Sequence, residues 1–269
     1  MRGRNSAHAA FPERAELALK NRLALGHLLA LFVAVVWGTT FISTKVLLTA
    51  FHPVEILIFR FALAWAVLFL CSPKPLLPKS VKTELPFIGA GLAGLSFYSV
   101  LENYALKFTL ASTVGIIVAA APMFTALLLW LCRRAKRPSP AFFVGFVLAM
   151  AGITLISLSG GESLDFDPIG CLLALGAALS WGAYGVLLEL TQQQGLGELQ
   201  ATRKVFFWGL LFTLPFIWIS HLDLSPARLA QPTLLFNVLY LGLGASAVCF
   251  LAWNRATLFI GSVATNVYL

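Results

Sequence analysis

The chain is predicted to be an all-α integral membrane protein, and three observations predict it. Of its 269 residues, 59% are hydrophobic and only 11% charged. A water-facing domain carries about 25% charged residues, so this chain cannot coat itself for water. Its mean hydropathy of +0.87 and its content of Leu, Ala, Phe and Trp equally exclude a disordered chain. The apolar residues fall in runs of about 20, the length that carries an α-helix across hydrocarbon. The expected architecture is a ten-helix fold made of two inverted five-helix repeats (5+5). This chain is expected to stop after about eight and a half of those helices.

The runs lie near 27–47, 54–71, 85–106, 110–131, 141–158, 168–188, 203–220 and 233–254, and a ninth starts near 256 and reaches Leu269. Ser72-Pro73-Lys74-Pro75, Arg137-Pro138-Ser139-Pro140, Gly160-Gly161-Glu162 and Gln231-Pro232 punctuate them as linkers. The first run is too long for a signal-peptide core and no small-x-small cleavage site follows it, so it is expected to remain as a membrane helix.

The formal charge of +8 reflects topology rather than nucleic-acid binding, because the basic residues sit in short stretches between spans, without interleaved aromatics. Arg2, Arg4, Arg14, Lys20, Arg22, Lys74, Lys79, Lys82, Arg133, Arg134, Lys136, Arg137, Arg203, Lys204 and Arg255 all fall on one side. Lys45, Lys107 and Arg228 fall on the other, with the acidic Glu162, Asp165 and Asp167. The bias predicts a multi-pass protein of the cytoplasmic (inner) membrane with a cytoplasmic N-terminus. Cys71, Cys132, Cys171 and Cys249 form no CxxC pair and have no His at ligand spacing. They read as buried thiols, and no metal or cofactor is expected.

An internal repeat supports the 5+5 expectation. Trp37-Gly38 recurs as Trp181-Gly182 at an offset of 144, and Glu55-x4-Arg60 recurs as Glu198-x4-Arg203 at 143. Asn103-Tyr104-Ala105 is matched by Asn254-Arg255-Ala256, and Phe108 by Phe259. Five spans per copy is odd, so the second copy enters from the opposite side, and such folds bind substrate between the halves. The expected organisation is a cytoplasmic segment 1–26, a first repeat 27–159, and a second repeat 160–269 that lacks the rest of span nine and all of span ten.

These residues bring a family resemblance with them. Trp37-Gly38-Thr39-Thr40-Phe41 followed by Lys45 is one match, and Arg60 within Glu55–Phe61 is another. Ala111-Ser112 leading into Ala121-Pro122-Met123-Phe124, Gly145 with Gly152, and Gly170 through Ser180-Trp181-Gly182 complete the ordered set. The chain resembles the drug/metabolite transporter superfamily, in its EamA branch, over roughly residues 25–269. The resemblance implies export or exchange of small metabolites; amino acids, purine-type metabolites, sugars and their nucleotides, and cationic drugs are its substrate classes. Glu189 stands where relatives often carry a basic residue.

Charged and aromatic residues inside spans are the candidates for transport, because charge in hydrocarbon is costly unless it faces a cavity or a partner. Arg60, about 6 residues or about 9 Å into its span, is expected to bind a substrate carboxylate through its planar fork. Trp37, Trp181 and Tyr184 are expected to form stacking walls, and Thr40, Tyr98 and Asn254 to add hydrogen bonds. Tyr104 is a further polar candidate. Lys45, Glu102 and Glu189 are candidates for gating or coupling, Glu102 as a proton carrier. Glu55 and Arg60 are five residues apart and do not share a helical face. Glu198 and Arg203 are expected to be solvated near the cytoplasmic surface. The small residues Gly89, Gly91, Ala93 and Gly94, like Gly242, Gly244 and Ala245, are read as close helix contacts, and Pro122 as a kink.

The functional expectation is a secondary transporter of small metabolites such as amino acids, working through a cavity between the repeats. A facilitative channel or a membrane sensor is the alternative, with a membrane-embedded enzyme behind both. His8, His27, His52 and His221 lie outside the spans, and no HExxH, GxSxG, Walker or aspartate-rich motif is present. The expected partners are a small-molecule substrate and the lipid bilayer, not nucleic acid, and a homodimer is left open.

Overall fold

A computed structural model describes residues 5–74, 76–78, 80–159, 167–219 and 226–269. The described residues are almost entirely helical. In chain order they form α1 (Asn5–Leu47), α2 (Pro53–Cys71), α3 (Val81–Phe108), α4 (Ala111–Leu131), α5 (Pro140–Ser159), α6 (Pro168–Gln192), α7 (Glu198–Thr213), α8 (Pro232–Ile260) and α9 (Ser262–Asn266). A short helix, Pro215–Ile219, follows α7, and a 3₁₀ turn, Pro226–Ala230, precedes α8. Among the described residues, α1, α2, α3, α4, α6 and α8 are long and apolar enough to cross a membrane. The protein is an all-α integral membrane protein.

Its polarity is that of a membrane protein. Leu70, Leu148 and Leu172 are exposed on the outside of the bundle, whereas Glu55, Arg60, Glu84, Glu102, Asn103, Arg203 and Asn254 are buried within it. Without water to drive apolar surfaces together, such helices hold by close packing and by hydrogen bonds. The main helix pairs are α3 with α6, α1 with α8, α4 with α6, and α3 with α7.

The packing is reciprocal. α3 contains a π-helical segment, Gly91–Phe97, that packs on α7, and α8 contains another, Tyr240–Val248, that packs on α2. A Cβ at Gly91 would stand 2.6 Å from the Gly209 nitrogen, and one at Gly242 would stand 2.7 Å from a Leu63 methyl. At Gly91 only glycine lets the two backbones approach so closely, and at Gly242 the Leu63 side chain takes the space. A π turn disturbs the regular carbonyl ladder, and in each segment a side chain takes one of the carbonyls. Trp37 Nε1 donates to the Ala245 carbonyl and Ser180 Oγ to the Ala93 carbonyl, both at 2.8 Å.

Several boundaries differ from the sequence reading. The eighth span does not end at 254. α8 runs through Arg255 to Ile260 and stops at Gly261, whose φ of 81° is a conformation glycine adopts without strain. Arg255 lies within the helix and pairs with Glu198. Arg203 is not solvated: it is 4% exposed, and its guanidinium donates to the carbonyls of Ser72 and Lys74, closing the C-terminal end of α2. α4 is broken at 119–120, because Pro122 has no N–H to give to the Val118 carbonyl. Of the cysteines, only Cys249 is buried; Cys71 and Cys132 are exposed at the C-terminal ends of α2 and α4. Glu162, Asp165, Lys79 and His221 lie outside the described residues.

At the other end of α2, His52 and Glu55 form a reciprocal cap. His52 Nδ1 accepts from the Val54 N–H at 3.4 Å, and the Glu55 carboxylate accepts from the His52 N–H at 2.8 Å. Arg228 pairs with Glu55 at 3.0 Å and donates to the Ala50 carbonyl. Burial, reinforced by Lys107 and opposed by Glu55, holds the His52 pKa below its ordinary 6.5.

Candidate substrate cavity

Where α1, α2, α3, α4, α5, α6 and α8 converge, with Leu269 beside them, they line a half-open cavity of about 350 Å³. That volume lies within the range of small-ligand sites. Its lining includes Trp37, Thr40 and Phe41 from α1, Arg60 from α2, and Tyr98, Ser99 and Glu102 from α3. Ser112, Gly115 and Ala119 come from the first half of α4, Trp181 from α6 and Phe250 from α8. Tyr98 and Glu102 meet because residues four apart share a helical face. The break in α4 follows directly after Val118 and includes Ala119, and both line the cavity.

Each charged wall residue is held by one neighbour. Arg60 Nε donates to Ser246 Oγ at 2.6 Å, which fixes the guanidinium plane; among the described residues its two terminal NH2 groups make no hydrogen bond. Glu102 Oε1 accepts from the Tyr98 hydroxyl at 2.5 Å, and its other oxygen has no hydrogen-bond partner among the described residues. Ser112 Oγ is buried and has no such partner either. Arg60 and Glu102 carry opposite charges on the same wall and attract each other.

The rest of the wall is aromatic. Trp37 and Trp181 meet edge to face with centroids 5.2 Å apart, Tyr98 lies 4.7 Å from Trp181, and Phe250 lies 5.4 Å from Trp37. Trp181 Nε1 donates to Asn266 Oδ1 at 3.1 Å, as Trp37 Nε1 does to Ala245. With both indole N–H groups engaged inside the protein, the rings offer the cavity apolar surface.

Six of the ten residues singled out from sequence, Trp37, Thr40, Arg60, Tyr98, Glu102 and Trp181, are thus brought together. The other four lie elsewhere. The Tyr184 hydroxyl donates to Asn254 Oδ1 at 3.0 Å and Asn254 Nδ2 donates to Thr202 Oγ1 at 2.7 Å, a buried brace joining α6, α8 and α7. Lys45 Nζ donates to the Thr109 carbonyl at 2.8 Å. Glu189 accepts from the N–H and hydroxyl of Ser262, at the start of α9. Glu55 is engaged by Arg228 rather than by Arg60, and Tyr104 Oη stands 3.4 Å from His52 Nε2, away from the cavity.

Sequence reasoning missed Ser246, Ser112 and Phe250. Ser246 had a signal: it is a hydroxyl inside the small-residue stripe of α8, where such groups commonly bind across helices. Ser112 stood in a recognised motif with no visible role. Phe250 carried no signal distinguishing it from other apolar residues of α8.

The sequence profile of the EamA-like transporter family matches residues 24–158, half of the chain. The chain belongs to the EamA-like transporter family. Similar proteins include a "Probable terminal-alkyne amino-acid exporter" of Streptantibioticus cattleyicolor, 26% identical over 87% of this chain and 78% of the relative. A "Probable amino-acid metabolite efflux pump" of Salmonella typhimurium is 26% identical over 84% of the chain and 76% of the relative. An "Uncharacterized transporter" of Archaeoglobus fulgidus is 26% identical over 90% and 83%. A solved crystal structure superposes with a TM-score of 0.63 at 21% identity, covering 90% of this chain and 85% of that one, and shows the same fold. This EamA-like chain is a multi-pass membrane transporter.

Proposed function

We propose that this EamA-like protein is a secondary transporter of the cytoplasmic membrane that exports or exchanges small carboxylate-bearing metabolites, amino acids among them. The observation that carries the reading is Arg60: a buried guanidinium, its plane fixed by Ser246, at the wall of an otherwise largely apolar cavity. A planar fork with its terminal donors unused matches a carboxylate bidentately. The names of the amino-acid exporters among its relatives agree with that chemistry.

The reciprocal packing of the two π segments supports the reading of two inverted repeats with a binding site between them. The distribution of Lys and Arg supports a cytoplasmic N-terminus. The sequence carries no Walker motif, which supports a cycle not driven directly by ATP on this chain.

Counterflow in proteoliposomes tests the reading, with labelled tryptophan, threonine and cysteine. A charge-assisted hydrogen bond contributes about 1.5–3 kcal/mol, so Arg60→Ala is expected to lower counterflow about 10- to 100-fold. Arg60→Lys keeps the charge but not the fork and is expected to restore only part. Counterflow unchanged in Arg60→Ala would move Arg60 to a structural role.

A further inference from the structure

We infer that a second pocket, at the membrane boundary where α2 ends, holds one anionic phospholipid. Its phosphate lies on Arg203 and Lys74, and an acyl chain lies on the surrounding rings.

The pocket measures about 370 Å³ and lies between the C-terminal end of α2, the start of α3, and α7. Among the described residues, none lines both this pocket and the substrate cavity. Its apolar wall reaches the outside of the bundle, because Phe69 and Phe207 are 39% and 46% exposed. Trp65 stacks on Phe69 with centroids 5.4 Å apart and lies 6.4 Å from Phe207. Trp208 Nε1 donates to Glu84 Oε1 at 2.8 Å, which leaves its ring as apolar surface. A 19-residue apolar helix is just long enough to span hydrocarbon, so its end lies at headgroup depth.

The charges at that depth are mostly positive. Lys74, Arg203 and Lys204 line the pocket with one carboxylate, Glu84, and Lys204 is already paired with it. Among the described residues no carboxylate answers Arg203. Its buried guanidinium donates instead to the carbonyls of Ser72 and Lys74, which carry no net charge. The same contact fixes the backbone of Lys74, whose side chain stands exposed at the rim. A free phosphate would meet the two cations and leave the rings bare. A net-neutral lipid would cover the rings and leave the cations unanswered. An anionic phospholipid meets both, in the way that basic pockets between membrane helices take anionic headgroups.

The test is quenching of tryptophan fluorescence in phosphatidylcholine liposomes. They contain a small fraction of brominated phosphatidylglycerol or, in parallel, of brominated phosphatidylcholine. Bromine on an acyl chain quenches an indole that it touches, and the signal lost in Trp65→Phe isolates the reporter in the pocket. At Trp65, phosphatidylglycerol is expected to be preferred at least about fivefold, the factor for one cation at a membrane surface. Lys74→Gln is expected to lower that preference at least about twofold. Arg134→Gln, at an exposed cation beyond the end of α4, is expected to leave it unchanged. Inorganic phosphate, added at constant ionic strength, is expected not to displace the lipid. A second readout needs no change in the wall. Phosphatidylglycerol added to the protein in detergent is expected to raise the unfolding midpoint by about 2–4 °C, and phosphatidylcholine is not. Equal quenching by the two lipids at Trp65, or a preference untouched by Lys74→Gln, overturns the assignment. An equal loss in Arg134→Gln makes the attraction one of diffuse surface charge and overturns it too. Displacement by inorganic phosphate replaces the lipid with a free anion. None of these outcomes bears on the carboxylate reading of Arg60, which counterflow tests separately.

Discussion

Gly94 shows how one residue decides the local geometry. A Cβ there would stand 2.2 Å from the Tyr184 ring, a buried side chain whose hydroxyl is held by Asn254. Gly94→Ala is expected to cost about 1–3 kcal/mol of stability by overpacking. Thermal unfolding in detergent should show a lowered midpoint, and Gly38→Ala, which meets nothing within 4 Å, should not. At this scale the sequence is legible where chemistry is expensive. Arg60 and Glu102 stand out in apolar runs because charge in hydrocarbon demands a partner. Tyr184 and Asn254 stand out for the same reason, yet they satisfy each other. A polar residue's cost is visible in sequence; whether it is met by a neighbour or by a ligand depends on a helix far away in the chain.

The elements follow from apolar length, caps and proline, and their interruptions come from the same sources. The break in α4 was legible at Pro122, whereas the π segments were not: Gly91–Phe97 and Tyr240–Val248 read only as small-residue stripes. Their geometry depends on the helix packed against them and on the side chains that take their carbonyls. Trp37→Phe keeps the ring packing but removes the donor to the Ala245 carbonyl, and should destabilise the protein by about 0.5–1.5 kcal/mol in thermal or denaturant unfolding. The cap of α2 carries a pH dependence. His52 has its pKa lowered in the fold, so the neutral ring is the stabilised form. Its contribution is complete above the unfolded value of 6.5 and is lost as pH falls through the lowered folded value. His52→Asn keeps a good N-cap without titrating. It should flatten the loss of thermal stability between about pH 7 and pH 5; an unchanged pH profile would assign that loss to other groups.

At the scale of the whole molecule, hydropathy and charge bias were enough to read a membrane-spanning helical fold. α2 and α7, which carry the two Glu-x4-Arg motifs, each pack on a π segment of another helix. Arg255 misled the sequence reading because a charge between apolar runs looks like a loop, whereas here it rides on α8 and pairs with Glu198. The orientation proposed from Lys and Arg makes a direct prediction. Cys71 and Cys132 are exposed at helix ends on the side assigned to the cytoplasm. A membrane-impermeant maleimide should label them in inside-out vesicles and not in intact cells; the reverse pattern would invert the topology.

Substrate is proposed to pass through the cavity between the helices, and Gly115 gives direct access to it. Gly115 lines the cavity, and a Cβ there meets nothing within 4 Å, so a thiol can be introduced without displacing the wall. The measurement is labelling of Gly115→Cys, in a background with the four native cysteines replaced by serine, by a small methanethiosulfonate reagent in proteoliposomes. Filling a site of about 350 Å³ with the adduct should abolish tryptophan counterflow, and tryptophan added beforehand should slow the labelling. Complete labelling with counterflow intact and no protection by substrate would place the pathway elsewhere in the protein.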